Sequence, residues 1–254
     1  MSAGNASCEV RFDRFQGAGS TAAERATYGV GRVVTSGARV LAPAAAGDAD
    51  VQSLDPDTCI PVPAELPSER ALLIPRLARV LAVWDCAELE LGEAACITSG
   101  SVDAALFCLV ASWRTGRTPV YLDLGDGPGP VADIASVIPA DDPQSAIETL
   151  AKLLRPAPGT VCVVLSPSAR AIDVLLEVLP TWGSLLLATP AMDPAAVDFY
   201  NHVHRKGARL LGVMSGPMCV LDPAMRPAFE PQIRRAIRIL KHEFLAASCL
   251  LQAN

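Results

Sequence analysis

Eight cysteines and three histidines are the side chains in this 254-residue chain best suited to hold a metal or attack a substrate. The cysteines stand singly, at 8, 59, 86, 96, 108, 162, 219 and 249. No two form a C-x-x-C, and most lie inside apolar segments such as Ala94-Ala95-Cys96-Ile97 and Val161-Cys162-Val163. They therefore read as reduced, buried thiols rather than a disulfide framework. His202, His204 and His242 all fall in the last quarter, so a zinc cage would have to recruit distant cysteines, and no metal site is expected. His202 and His204, beside Arg205-Lys206, could supply a general acid or an anion site, since imidazole titrates near neutrality. Helical positions two apart do not share a face, and the plainer reading is a solvated helix end with cations near its C-terminus. Ser166 and Ser168 have no His or Asp close in sequence to activate them. The three tyrosines, 28, 121 and 200, include no Tyr-x-x-x-Lys pair.

The elements that must position these residues are legible from apolar periodicity. From Glu93 onward, short apolar runs at 94–98, 119–122, 136–138, 160–165, 184–188 and 209–213 alternate with amphipathic stretches. The spacing predicts helices at 102–115, 128–135, 143–154, 168–180 and 194–206. Strict alternation implies parallel strands joined by right-handed crossovers, and so an α/β fold with a doubly wound parallel sheet. In such a sheet Ser166 follows the fourth strand at the carboxyl edge, where ligands bind, and Ser168 suits a helix cap.

Residues 1–66 have a different character, rich in Gly, Ala, Pro and polar residues. Short apolar pieces at 30–34 and 38–41, with turn signals at Ser36-Gly37 and Gly47-Asp48, read as strands of a small β lobe. The first twenty residues allow a disordered start. Ser68 is placed to cap a helix carrying Leu72, Leu73, Leu77, Val80 and Leu81 at helical spacing. After Gly216 a connector with Pro217, Pro223, Pro227 and Pro231 leads to a last helix at about 230–243. The expected division is a lobe at 1–66, a Rossmann-type domain at 67–216, and a segment at 217–254 that packs back on the lobe.

Composition narrows the function classes. With 51% hydrophobic residues and a mean hydropathy of +0.33, the chain can bury a large core. Its 21 basic and 27 acidic residues give a formal charge of −6, and the basic ones are scattered, which argues against nucleic acid as a partner. No apolar run reaches the ~20 residues that span a bilayer, and the first residues lack the pattern of a secretory signal, so a cytoplasmic protein without a membrane partner is expected.

Four segments carry a resemblance to the medium-chain dehydrogenase/reductase superfamily, the relatives of zinc alcohol dehydrogenase. Val62-Pro63-Ala64-Glu65-Leu66-Pro67-Ser68-Glu69-Arg70-Ala71 resembles the linker between that family's GroES-like and cofactor domains. Leu91-Gly92-Glu93-Ala94-Ala95-Cys96-Ile97-Thr98 resembles the entry to its first Rossmann strand. The stretches 178–187 and 199–212 are similar to the family's approaches to its fifth and sixth strands. The likeness runs from about residue 60 onward and rests on order and spacing. Tyr28-Gly29-Val30-Gly31-Arg32-Val33-Val34 through Cys59-Ile60-Pro61 resembles only the latter half of the GroES-like barrel.

The resemblance implies a dinucleotide site with marked departures. The family's G-x-G-x-x-G aligns with Ser99-Gly100-Ser101-Val102-Asp103-Ala104, so Ser99, Ser101 and Ala104 replace the three glycines. Ser101 adds a side chain where a pyrophosphate oxygen would sit. Asp103 places a carboxylate at the start of the helix, a good cap but one that opposes a bound diphosphate. Asp123 ends the second strand 24 residues after Ser99, where an acidic residue hydrogen-bonds the adenosine ribose. That position favours NAD over NADP, although Leu124-Gly125-Asp126-Gly127 equally suits a turn. Ser99, Gly100, Ser101, Val102, Asp123 and Ser166 are thus the candidate cofactor contacts. Relatives carry a longer front lobe with a catalytic zinc Cys and a His-Glu pair. Before residue 59 this chain has only Cys8 and no histidine, so a shortened, zinc-independent member is expected.

Two functions fit. One is a zinc-independent NAD(P)-linked oxidoreductase acting on an unidentified small molecule, with no catalytic residue named. The other is a degenerate dehydrogenase scaffold with a non-redox role: cofactor-free chemistry in the cleft, or a binding or partner subunit. A homodimer is expected through 209–214, which resembles the strand that pairs across the family's two-fold axis, unless a partner chain supplies the missing lobe.

Overall fold

The computed structural model describes residues 7–16, 27–44, 51–98, 103–125, 127, 129–155, 157–166, 168–189, 196–213 and 217–242. The chain divides into two units. One holds the described residues up to 79 together with 217–242, the other those of 80–213.

The first unit is built on a five-stranded antiparallel sheet: β1 (Cys8–Gln16), β2 (Thr27–Val33), β3 (Arg39–Ala44), β4 (Val51–Leu54) and β5 (Ile60–Pro61), in the order β4-β1-β2-β3-β5. The apolar alternation at 30–34 and 38–41 falls in β2 and β3, joined by the expected turn, where Gly37 N–H donates to Val33 O at 2.7 Å. β1 occupies part of the stretch in which the sequence allows a disordered start. Val10 and Phe12 alternate into a small core with Val40, Ala42, Ala44 and Cys59, giving the strand a buried face that composition alone did not reveal. Ser68 also differs from expectation. It opens the short helix α1 (Ser68–Ala71) without capping it, because its Oγ accepts a 2.8 Å hydrogen bond from Arg39 Nη2. The same guanidinium donates to the carbonyls of Pro63 and Leu66, so one arginine holds the whole segment leading into α1.

α2 (Ile74–Cys86) follows α1 and runs into the second unit. The last helix, α6 (Arg226–Lys241), belongs to the first unit and starts about four residues before the sequence places it. Pro227 lies in its first turn, where no N–H is needed, so the proline is compatible with helix where the sequence reading saw a connector. Arg226 Nη1 donates to Asp57 O and Cys59 O at 2.6 and 2.9 Å, and Lys241 pairs with Glu65 at 2.6 Å.

The second unit is a six-stranded parallel sheet of β6 (Ala94–Thr98), β7 (Val120–Asp123), β8 (Ser136–Pro139), β9 (Thr160–Val164), β10 (Ser184–Leu187) and β11 (Arg209–Gly212). Its order is β11-β10-β9-β6-β7-β8, and every adjacent pair is parallel. This is the doubly wound arrangement, with the order reversing between β6 and β9. Both central strands are buried at every residue, as continuous apolar runs in a sheet covered on both faces require. Cys96, Leu122, Cys162, Val164 and Leu185 share one core with α4 (Pro143–Leu154) and α5 (Ala169–Val178). Elsewhere in the unit, Trp84 meets Phe107 of α3 (Ala104–Thr115) edge to face at 5.8 Å.

Two expected helices are not formed as such. The 128–135 stretch yields a single 3₁₀ turn, Gly129–Val131, because Gly129 has φ 47° and Pro130 follows it. The described part of 194–206 holds one π-helical turn, Phe199–His204, entered through Asp198, whose carboxylate accepts from Asn201 N. No described helix is long and apolar enough to cross a membrane.

Candidate functional site

The carboxyl ends of β6, β7 and β9 bring together the described residues that could meet a ligand. Register pairing of β6 with β9 ends at Ile97 and Val163, and beyond it the strands part towards opposite halves of the sheet. Such a switch point leaves backbone donors without ladder partners. Thr98 supplies one: its buried Oγ1 accepts from Leu165 N at 2.8 Å. Ser166, the next residue, is 6% exposed, and its Oγ lies buried with no hydrogen-bond partner among the described residues. A hydroxyl left unmet among the described residues at the reversal point of a parallel sheet is available to a ligand. Ser168 turns the chain into α5, its Oγ accepting from Ala171 N at 3.4 Å, in the capping role its sequence position suggests.

Asp123, at the end of β7, does two things. Its Oδ1 accepts from Gly125 N and Gly127 N, both at 3.0 Å, organising a turn in which these glycines have φ 111° and 81°. Its second oxygen has lone pairs that can accept from a ribose hydroxyl. The turn and ribose readings of Asp123 are therefore compatible.

Ser99, Gly100, Ser101 and Val102 lie outside the described residues. The helix they lead into is described. Asp103 precedes α3 and is only 3% exposed, and its side chain makes no capping bond to the helix amides. This corrects the expectation of a carboxylate cap: with φ −87° and ψ −4°, Asp103 already has helical backbone, whereas a cap residue reaches the amides from an extended one. Buried beside the positive end of α3, its charge occupies part of the field a diphosphate would use. Asp123, Ser166 and Asp103 thus stand along one edge of the parallel sheet.

The histidine cluster is drawn apart from that edge by its own contacts. His202 Nε2 pairs with Glu177 at 3.3 Å, His204 stacks on Tyr200 with centroids 5.7 Å apart, and Arg205 donates to Asn201 Oδ1. Lys206 Nζ donates to the carbonyls of Leu176 and Glu177, where α5 ends. Burial pulls its pKa below the usual lysine range, with Glu177 opposing that shift. These residues tie the π-turn to the C-terminus of α5, a structural use of cations. Among the described residues no three His, Cys, Asp or Glu side chains converge as a metal would require.

Sequence reasoning missed Thr98 and the burial of Asp103. A threonine closing an apolar strand was the available signal for the first. Nothing in spacing distinguishes a buried aspartate from a capping one.

The six-stranded order, its reversal point and the antiparallel sheet that precedes it give the chain the fold of the medium-chain dehydrogenase/reductases. Galactitol-1-phosphate dehydrogenase from Escherichia coli has this fold with a TM-score of 0.72, matching 93% of this chain and 82% of its own at 11% identity. A candidate NADPH:quinone reductase from Mesorhizobium loti follows at 0.67, with 16% identity over 93% and 77% of the two chains. A candidate zinc-binding dehydrogenase from Sinorhizobium meliloti 1021, bound to NADP, scores 0.66 with 15% identity over 93% and 83%. No family model matches the chain, and no curated protein matches it in sequence.

Proposed function

We propose that this chain is a zinc-independent, NAD-linked oxidoreductase that takes a small molecule at the carboxyl edge of its parallel sheet and holds the dinucleotide weakly. The observation that carries the reading is the unpartnered, buried Ser166 hydroxyl at the reversal point, on the same edge as the Asp123 carboxylate. NAD is favoured because a 2′-phosphate would meet Asp123 directly, even though one protein of similar fold is bound to NADP. Zinc independence rests on the absence of any histidine before residue 202. A bound nicotinamide would supply the hydride. The chain's part is to orient it, Asp123 at the ribose and Ser166 near the centre of the edge.

Ser166→Ala removes the hydroxyl and adds no atom to this buried position. It is expected to weaken NADH binding roughly tenfold, about the 1.4 kcal/mol of one well-made hydrogen bond, with little change in thermal midpoint. Asp123→Ala is expected to weaken it at least as much and also to loosen the 125–127 turn. Nicotinamide fluorescence reads both. Unchanged NADH affinity in the two variants would remove the site from this edge.

The burial of Asp103 favours a second reading, in which the scaffold has lost the dinucleotide and serves a non-redox role. Under it, neither NADH nor NADPH binds saturably, while a small molecule still protects the carboxyl edge.

A further inference from the structure

Cys8 and Cys59 stand 51 residues apart, in different elements of the first unit, yet their sulfurs are 3.8 Å from one another. Cys8 opens β1, where it lies opposite Leu54 of β4 in register. Cys59 follows the 3₁₀ turn Pro56–Thr58 that carries the chain from β4 round to β5. The β1–β4 ladder and this turn therefore fix the approach of the two thiols.

We propose that Cys8 and Cys59 are a redox pair, oxidised by peroxide to an intramolecular disulfide that staples β1 to the turn ahead of β5. Exposure assigns the roles. Cys8 is half-buried and meets the oxidant, while Cys59 is buried against it. The Cys8 thiolate attacks the peroxide, the O–O bond breaks, and Cys8 becomes a sulfenic acid as water or an alcohol leaves. The Cys59 sulfur then attacks Cys8 Sγ, the S–O bond breaks, and a second water leaves with the Cys59 proton. Two thiols have lost two electrons and two protons, and one peroxide has been reduced. An external dithiol reverses the step by exchange. The sulfurs must close from 3.8 Å to about 2.05 Å. Burial, and the adjoining Cys8, raise the Cys59 thiol to about 11, so the second step quickens with rising pH.

Cys96 and Cys162 face one another in register across β6 and β9, but with Cys108 they lie buried in the core of the second unit, closed to an oxidant. Cys86 is exposed and Cys219 half-buried. The staple acts on a corner that α6 already grips, through the Arg226 hydrogen bond to Cys59 O. Closing a loop of this length restricts the unfolded chain.

Treating the full chain with hydrogen peroxide, blocking remaining thiols with an alkylating agent, and mapping peptides without reductant tests the pair. The expected result is one species lighter by two hydrogens, with Cys8 and Cys59 linked, a higher thermal midpoint and slower proteolysis ahead of residue 27. Dithiothreitol should reverse all three. Cys8→Ser should abolish the link and the midpoint rise together while leaving the reduced midpoint unchanged, and Cys59→Ser serves as the second variant. Full alkylation of both thiols after peroxide, Cys8 oxidised without linkage, or a midpoint rise that persists in Cys8→Ser would each overturn the proposal.

Discussion

Three side chains at the carboxyl edge, Asp123, Ser166 and Asp103, were legible in sequence to different degrees. Asp123 was legible in sequence because the distance from the first strand to the end of the second is fixed by one helix and two short connections. Ser166 was legible as a residue past the fourth strand, but its lack of a partner depends on packing. Asp103 was legible only in part: its charge is plain, whereas its burial follows from how α3 seats on the sheet. If that carboxylate opposes bound phosphate, Asp103→Asn should tighten NADH binding by about 0.3–1 kcal/mol, a gain of up to roughly fivefold. Parallel thermal melts check that the variant keeps its fold. A weaker complex from a stably folded variant would mean that the Asp103 charge positions the ligand rather than repels it.

At the scale of elements, the sequence was clearest where apolar period and length agree. The six strands of the parallel sheet and the helices α4 and α5 fall within a residue or two of their expected limits. It was least clear where a few polar contacts set the backbone. The π-turn at 199–204 depends on Asp198 and on side chains that meet α5, and no periodicity announces it. β1 was hidden because its buried residues are interleaved with charged ones, in a region whose composition suggested little order. Arg39 is the strongest case of a non-local determinant. Its guanidinium joins β3 to the carbonyls of Pro63 and Leu66 and to Ser68, across more than twenty residues of sequence. Arg39→Met should lower the stability of the first unit by roughly 1.5–3 kcal/mol, the range for hydrogen bonds to a charged group. Arg39→Lys should recover little of it, because one ammonium cannot reproduce the planar fork. Urea unfolding followed by hydrogen exchange over 60–71 measures the loss, and wild-type protection in either variant would contradict it.

At the scale of the whole molecule, assembly turns on β11. It forms one edge of the six-stranded sheet, with Leu210 packed on the core and Leu211 half-buried on the alternate face. An apolar edge strand left bare is a liability, and we propose that a second copy pairs with it. Light scattering should then give twice the 26.6 kDa chain mass, and Leu211→Lys should return a folded monomer. A monodisperse particle near the chain mass would defeat the dimer.

The proposed function pairs a phosphate loop without its glycines, Ser99 to Ala104, with an acidic residue, Asp123, at the ribose position. Calorimetric titration of the metal-free protein with NADH and, separately, NADPH tests it most directly. NADH is expected to bind saturably but weakly, with a Kd well above about 1 μM, and NADPH more weakly because of Asp123. Submicromolar binding of either dinucleotide would show that the loop before α3 has found another way to hold phosphate, and binding of neither would leave the scaffold without its cofactor.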